Sequence, residues 1–406
     1  MKKNLTLITV VFFLLAAQTL FAERIQNNNV SVRTMPGAFY PVVTILSQGA
    51  EVKILHDQDQ WKKVKTADSK IGWISANAFN PVKKAIDYGT MSNDNSKKNI
   101  TRLMVTAAVK GFFENNATSP KINKEVFYRP FRRYIIPSRY NTFKKDTFHK
   151  RWSQKKFQRK NKIAQQGAFK IDEQLVALSA YIAARFASPG LSTNMTQTVY
   201  VNNVAQLIIE STEFYDLPIS VLVVNSNEIF ANATPIGVIV ISKGMLNTIK
   251  DEGELACLLG HEIAHVTLNH GSSEFGIRKP KFAAEDAFAE LGEELGVDDV
   301  EKELDELCNE MYERAIRGRK ADYEMAADER GMIYARRAGY SAGGMVSLLK
   351  RLKTKVRSSY EPEDASHWFP SAMQKRIDKL EKFAKGLKKS KHYSAFQTRY
   401  SYHNRR

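Results

Sequence analysis

Between Glu252 and Leu268 the chain runs through helix formers with no proline, and inside that run stands Gly260-His261-Glu262-Ile263-Ala264-His265. At 3.6 residues per turn, His261 and His265 stack on one helical face. Leu255, Leu259, Ile263 and Val266 form an apolar stripe on the same helix. A helix buried by that stripe carries two imidazoles into a mostly dry interior, where an unpartnered polar group is costly. A shared metal ion would satisfy both rings. Glu262, turned partly off their face, would take a proton from a metal-activated water. Two core histidines satisfied by ordinary hydrogen bonds are the plainer alternative for so short a motif.

A catalytic zinc ion usually takes three protein ligands and keeps one position open. The third ligand should be a carboxylate or histidine further along, and Glu324 in Glu324-Met325-Ala326-Ala327-Asp328 is the best candidate. Glu324 and Asp328 lie four apart and share a helical face. Glu324 would ligate, while Asp328 would fix a ligand imidazole from behind. A solvated acidic pair is the alternative, and the apolar helix spanning Tyr323 to Arg337 argues against it.

The rest of the chain sets the compartment. Lys2 and Lys3, the apolar run Leu5 to Ala17 and the small-residue site ending at Ala22 read as a signal peptide, 1–22. The expectation is an exported chain, periplasmic or secreted, soluble after cleavage. No later segment is long and apolar enough to span a bilayer. Two cysteines, Cys257 and Cys308, sit on separate expected helices, and their pairing is not readable from sequence. The formal charge of +18 implies attraction to anionic partners. In an exported chain these are a membrane surface or cell-wall polymers, with nucleic acid the least expected. Oligomeric state is unreadable.

Residues 23–82 alternate as short strands. Val32-Arg33 with Pro36, Gly49 with Val52 and Ile54, Trp61 with Val64, and Gly72-Trp73-Ile74 together resemble the bacterial SH3-like domain. That resemblance implies a small all-β barrel, which binds cell-wall peptides in many members or simply braces an attached enzyme. A polar linker, 83–99, leads to a larger domain at 100–385. Within it, 128–162 is a basic and aromatic insertion read as solvated and partly disordered, and 283–310 is an acidic helical segment. The end, 386–406, is a basic tail without pattern.

The larger domain resembles the gluzincin metallopeptidases of the CAAX prenyl protease and HtpX-like family, most closely the soluble periplasmic BepA-type members. The residues that carry this are Asn232-Ala233 with Pro235 and Gly237, Ser242-Lys243-Gly244-Met245-Leu246, the HExxH run with His270 after it, Glu324 to Asp328, and Ala338-Gly339-Tyr340. Ser366-His367 with Pro370 and Arg376-Ile377 matches a late motif, with Trp368-Phe369 intruding. The resemblance implies an α+β fold, a mostly helical zincin-type peptidase domain with a small edge sheet behind the SH3-like barrel. It implies one zinc ion on His261, His265 and Glu324, with Glu262 as general base. His367 or Arg376 would donate to the oxyanion, or His367 would cap the zinc and hold the enzyme latent. Asn232, Gly237, Val238 and Val240 would form an edge strand that pairs with an extended polypeptide substrate. The expected function is a zinc endopeptidase for exported or misfolded envelope proteins. Two other readings remain open at this stage, a cell-wall peptide endopeptidase guided by the SH3-like module and a non-catalytic envelope chaperone or scaffold.

Overall fold

The computed structural model describes residues 22–79, 121–148, 173–273, 306–312, 319–356, 370–387 and 395–404, apart from 39, 59, 133, 272, 307 and 311. The expected signal peptide up to residue 21, the linker, most of the acidic segment, the insertion beyond 148 and His367 lie outside the described residues. Among the described residues no helix is long and apolar enough to cross a membrane.

The N-terminal module is a six-stranded antiparallel sheet. Its strands are β1 (Ala22–Arg24), β2 (Val30–Arg33), β3 (Val42–Leu46), β4 (Glu51–Gln58), β5 (Trp61–Thr66) and β6 (Ile71–Ser75), in the order β1-β4-β5-β6-β2-β3. The alternation seen in the sequence is the reason: Val30, Val32, Val52, Val64 and Ile74 turn inward around Ile25 and Ala78.

The helical body follows. Helices α1 (Lys124–Tyr128), α2 (Pro137–Phe148), α3 (Glu173–Phe186) and α4 (Met195–Ile209) precede strands β7 (Ser220–Val224), β8 (Ala231–Ala233) and β9 (Val238–Ser242). Then come α5 (Lys243–Thr248), α6 (Glu252–Thr267), α7 (Ala321–Arg337), α8 (Gly344–Val356), α9 (Pro370–Gly386) and α10 (Gln397–Asn404). The fold is thus α+β, as expected. The small sheet has the order β7-β9-β8, with β7 and β9 parallel and β8 antiparallel to β9. Val221, Val223, Ile239 and Ile241 face the core that holds α6, while Leu222, Val224, Val238 and Val240 face a second core around α3.

This order corrects the edge-strand expectation. Val238 and Val240 belong to the central strand, buried on both faces, and a continuous Val-Ile-Val-Ile run is the signature of such a strand. The edge is β8. Gly237 serves the turn between them: its φ is +96°, its N–H donates to Thr234 O, and a Cβ there would lie 2.6 Å from Pro218 O.

Two further expectations change. Residues 137–148 of the basic insertion form α2, wedged between the SH3-like sheet and α4 with Tyr140, Phe143 and Lys144 buried. The tail contains α10, which is docked: Arg399 pairs with Glu252 at the start of α6, Tyr400 donates to Leu246 O, and Gly253 N–H donates to Ala395 O at 3.0 Å. One buried aromatic per few polar residues is too weak a pattern to read as a helix face. Cys257 and Cys308 are both buried, lie in different cores and are not joined by a disulfide.

The SH3-like sheet is tied to the body through a buried carboxylate. Glu210, at the C-terminal end of α4, receives Arg33 at 2.6 Å, Lys144 at 2.7 Å and the Tyr140 hydroxyl at 2.6 Å. Trp61 stacks on Tyr215 at 5.7 Å, and Ser75 and Asn77 both donate to Asp216. Burial alone would raise the Glu210 pKa, but Arg33 and Lys144 overcome it and hold the group at about 2. Lys144 shares that one anion with a guanidinium, so burial pushes it down to about 8.

Removing Glu210 would strand two buried cations, so Glu210→Ala should cost about 3–5 kcal/mol in urea unfolding. The folded pKa of Glu210 lies below its ordinary 4.5. Its stabilisation is therefore complete above that value and lost as pH falls through about 2, and mutant and parent stabilities should approach each other below pH 4.5 and converge only below about pH 2.

The helix that carries the histidines meets α7 backbone to backbone. A Cβ on Gly260 would lie 2.6 Å from Gly331 O, and one on Gly331 would lie 2.5 Å from His261 N. Gly331→Ala should force the helices apart, lower stability by about 1–3 kcal/mol and reduce bound zinc by elemental analysis.

Candidate metal centre

Helix α6 is buried along its whole length, a consequence of apolar residues on most of its faces. Its start is fixed by Asp251, whose side chain accepts the Glu254 N–H at 2.8 Å. Glu254 in turn pairs with Arg351 and accepts from Ser347, both on α8. A helix so clamped holds its side chains in a set register against α7.

At the contact, three side chains turn polar atoms toward one point. His261 Nε2 and His265 Nε2 lie 3.0 Å apart. Glu324 Oε2 is 3.4 Å from the first ring and Oε1 is 3.4 Å from the second. One ligand atom from each residue falls within 4.8 Å of the others. Two imidazole nitrogens at that separation cannot both carry protons, and a cation between them and the carboxylate satisfies all three. A His-His-Glu donor set is a zinc set. The residues fit the ion that the sequence implies.

A surrounding layer orients these groups. Asp328 Oδ1 lies 2.9 Å from His261 Nδ1, at ion-pair distance with the ring N–H not aligned on the oxygen. Arg376, on α9, donates to Asp328 from Nε at 2.8 Å and from Nη2 at 2.9 Å, and Nη2 is 3.3 Å from Glu324. His265 Nδ1 contacts His270 Nδ1 at 2.9 Å, and the His270 ring stacks on Tyr323 at 4.3 Å. In both ligands the Nδ1 side is engaged behind the ring, which leaves Nε2 for the metal.

The field among these groups follows from burial and neighbours. Burial works against a charged His261, but Asp328 and Glu324 outweigh it and lift its pKa to about 10. His265 is pushed down to about 3 by burial, with Glu324 opposing. Burial raises Glu262 to about 7, against the pull of His261. Burial would raise Glu324 as well, yet the two imidazoles and Arg376 hold it well below the usual carboxylate range.

The structure thus brings together His261, Glu262, His265, Glu324, Asp328 and Arg376. Arg376 is bonded to Asp328 and lies 3.3 Å from Glu324, a placement that props the ligands. Asn232 lies on the edge strand β8, while Gly237, Val238 and Val240 do not. His270 was legible in the sequence only as a family position, and its contact with His265 comes from the turn that ends α6. Tyr323 and Arg319 carried no signal, since their partners come from distant segments.

A buried helix bearing HExxH, a second helix delivering a carboxylate and an adjoining edge sheet define a metallopeptidase type of domain. Residues 196–384 match peptidase family M48, and residues 28–79 match the bacterial SH3 domain. The chain therefore carries an M48 peptidase domain preceded by a bacterial SH3 domain. It is similar to a Vibrio cholerae serotype O1 protein with the provisional name beta-barrel assembly-enhancing protease, 25% identical over 202 residues, 47% of this chain and 40% of the relative. It is also similar to the beta-barrel assembly-enhancing protease of Yersinia pestis, 29% identical over 100 residues, 25% of this chain and 21% of the relative. The chain spans less than half the length of the curated relatives it matches.

Asp328→Asn should keep the fold and weaken zinc binding by roughly 10- to 100-fold, read by competition with a chromophoric chelator.

Proposed function

We propose that this chain is a zinc-dependent endopeptidase acting on exported or misfolded proteins of the cell envelope. The observation that carries the reading is the convergence of His261, His265 and Glu324 with Glu262 beside them. The M48 match supports the reaction, and the names of the two relatives support a role in envelope protein assembly. The signal-like start of the sequence agrees with that compartment.

Bound at this site, zinc would polarise the scissile carbonyl and make the attacking water more acidic. Glu262 takes the proton of that water and delivers it to the leaving amine. Asp328 and His270 keep the two imidazoles turned toward the centre. Arg376 keeps Glu324 and Asp328 charged and in place. His367 is the proposed donor to the tetrahedral oxyanion. An extended substrate would lie along β8, where main-chain pairing reads backbone more than side chain and suits loose specificity. The SH3 domain acts in this reading as a brace, since Arg33 and Trp61 are already engaged with the helical body.

Glu262→Gln should retain zinc by elemental analysis and lose hydrolysis of unfolded casein by at least about 10²-fold. Chelation should abolish the parent activity. Chelator-sensitive cleavage of peptidoglycan instead of casein would move the substrate to the cell wall. No chelator-sensitive cleavage of either would leave a scaffold.

A further inference from the structure

The outer edge of β8 is not open. Phe230 O and Thr234 N both bond to β9, to Ser242 N at 3.1 Å and Val238 O at 2.8 Å. Antiparallel pairing alternates, so Asn232 also turns its main-chain groups toward β9, while Ala231 and Ala233 turn theirs outward. These outward groups are what an added strand would pair with. At Ala233 the carbonyl is in use: it accepts Arg319 Nη2 at 3.0 Å. Arg319 lies two residues before α7 begins, and its charge is felt at Glu262, His265 and His270 alike.

We propose that Arg319 is an intramolecular strap on the substrate edge: its guanidinium occupies the outward carbonyl of Ala233, so an extended peptide must displace it to pair with β8. The inference rests on the peptidase reading for its purpose but not for its geometry. Peptide docking competes with a charge-assisted hydrogen bond, and resting affinity for unfolded chains is lowered by the strength of that bond. The strap acts on any extended backbone regardless of sequence, because it holds a main-chain group.

The experiment is fluorescence anisotropy with a labelled, unstructured twelve-residue peptide of zero net charge, which removes simple charge attraction. It is titrated into the full chain and into Arg319→Ala, both with zinc removed so that no cleavage intervenes. Arg319→Ala should bind about three- to tenfold more tightly, and Arg319→Lys, which keeps one flexible donor, should fall between. Equal or weaker binding by Arg319→Ala overturns the strap, as does the absence of binding by both proteins. Should Arg319→Ala fail to fold by circular dichroism, Arg319→Gln takes its place with the same expected direction. Hydrolysis of casein by the zinc-loaded parent is scored separately. Tightened binding without hydrolysis would leave the strap standing and sink the peptidase reading, and hydrolysis with unchanged binding would do the reverse.

Discussion

The contact of Gly260 with Gly331 is the constraint on which the candidate centre depends. Two helices can meet backbone to backbone only where neither carries a Cβ at the crossing. That approach sets Glu324 within 3.4 Å of both imidazoles and Asp328 within 2.9 Å of the first. Side chains of ordinary size would hold helices several ångströms further apart. The three-ligand geometry is therefore a property of two glycines that make no contact with the metal position.

The chemistry-bearing residues were the most legible part of the sequence. HExxH at helical spacing and Glu324-to-Asp328 at four residues are local patterns, and local patterns survive as strings. The SH3-like alternation was legible for the same reason. What failed was information held in pairing. The string Val238-Ile239-Val240-Ile241 says that a strand is apolar, and only the sheet order says that it is central and that Ala231–Ala233 is the edge. The docking of Gln397–Asn404 was illegible because its anchor, Arg399 on Glu252, joins residues 147 positions apart. The basic insertion misled for a related reason. Lys144 reads as a solvated charge until its partner, Glu210, is known.

Charge plays two different parts in this chain. At the candidate metal centre, a carboxylate and two rings converge on a point where a cation would have to come from outside the chain. At the domain junction the chain supplies its own cations, two of them to one buried carboxylate, with the Tyr140 hydroxyl as a further donor. Such an arrangement is weak evidence of net stability and stronger evidence of a fixed docking pose, because each partner left unpaired is costly. The net charge of +18 hides this interior bookkeeping entirely.

The same junction has a consequence for the order of assembly. Arg33 and Glu210 are 177 residues apart in the chain. The strands β4, β5 and β6 pair with immediate neighbours, so the N-terminal sheet closes mostly short loops. Closure entropy grows with separation, and contacts of long range form after those of short range. The N-terminal sheet thus has a core of its own that does not include the Arg33–Glu210 contact. Separating the sheet from the helical body would expose Arg33, Glu210, Trp61 and Tyr215 together, so the junction is lost or kept as one unit.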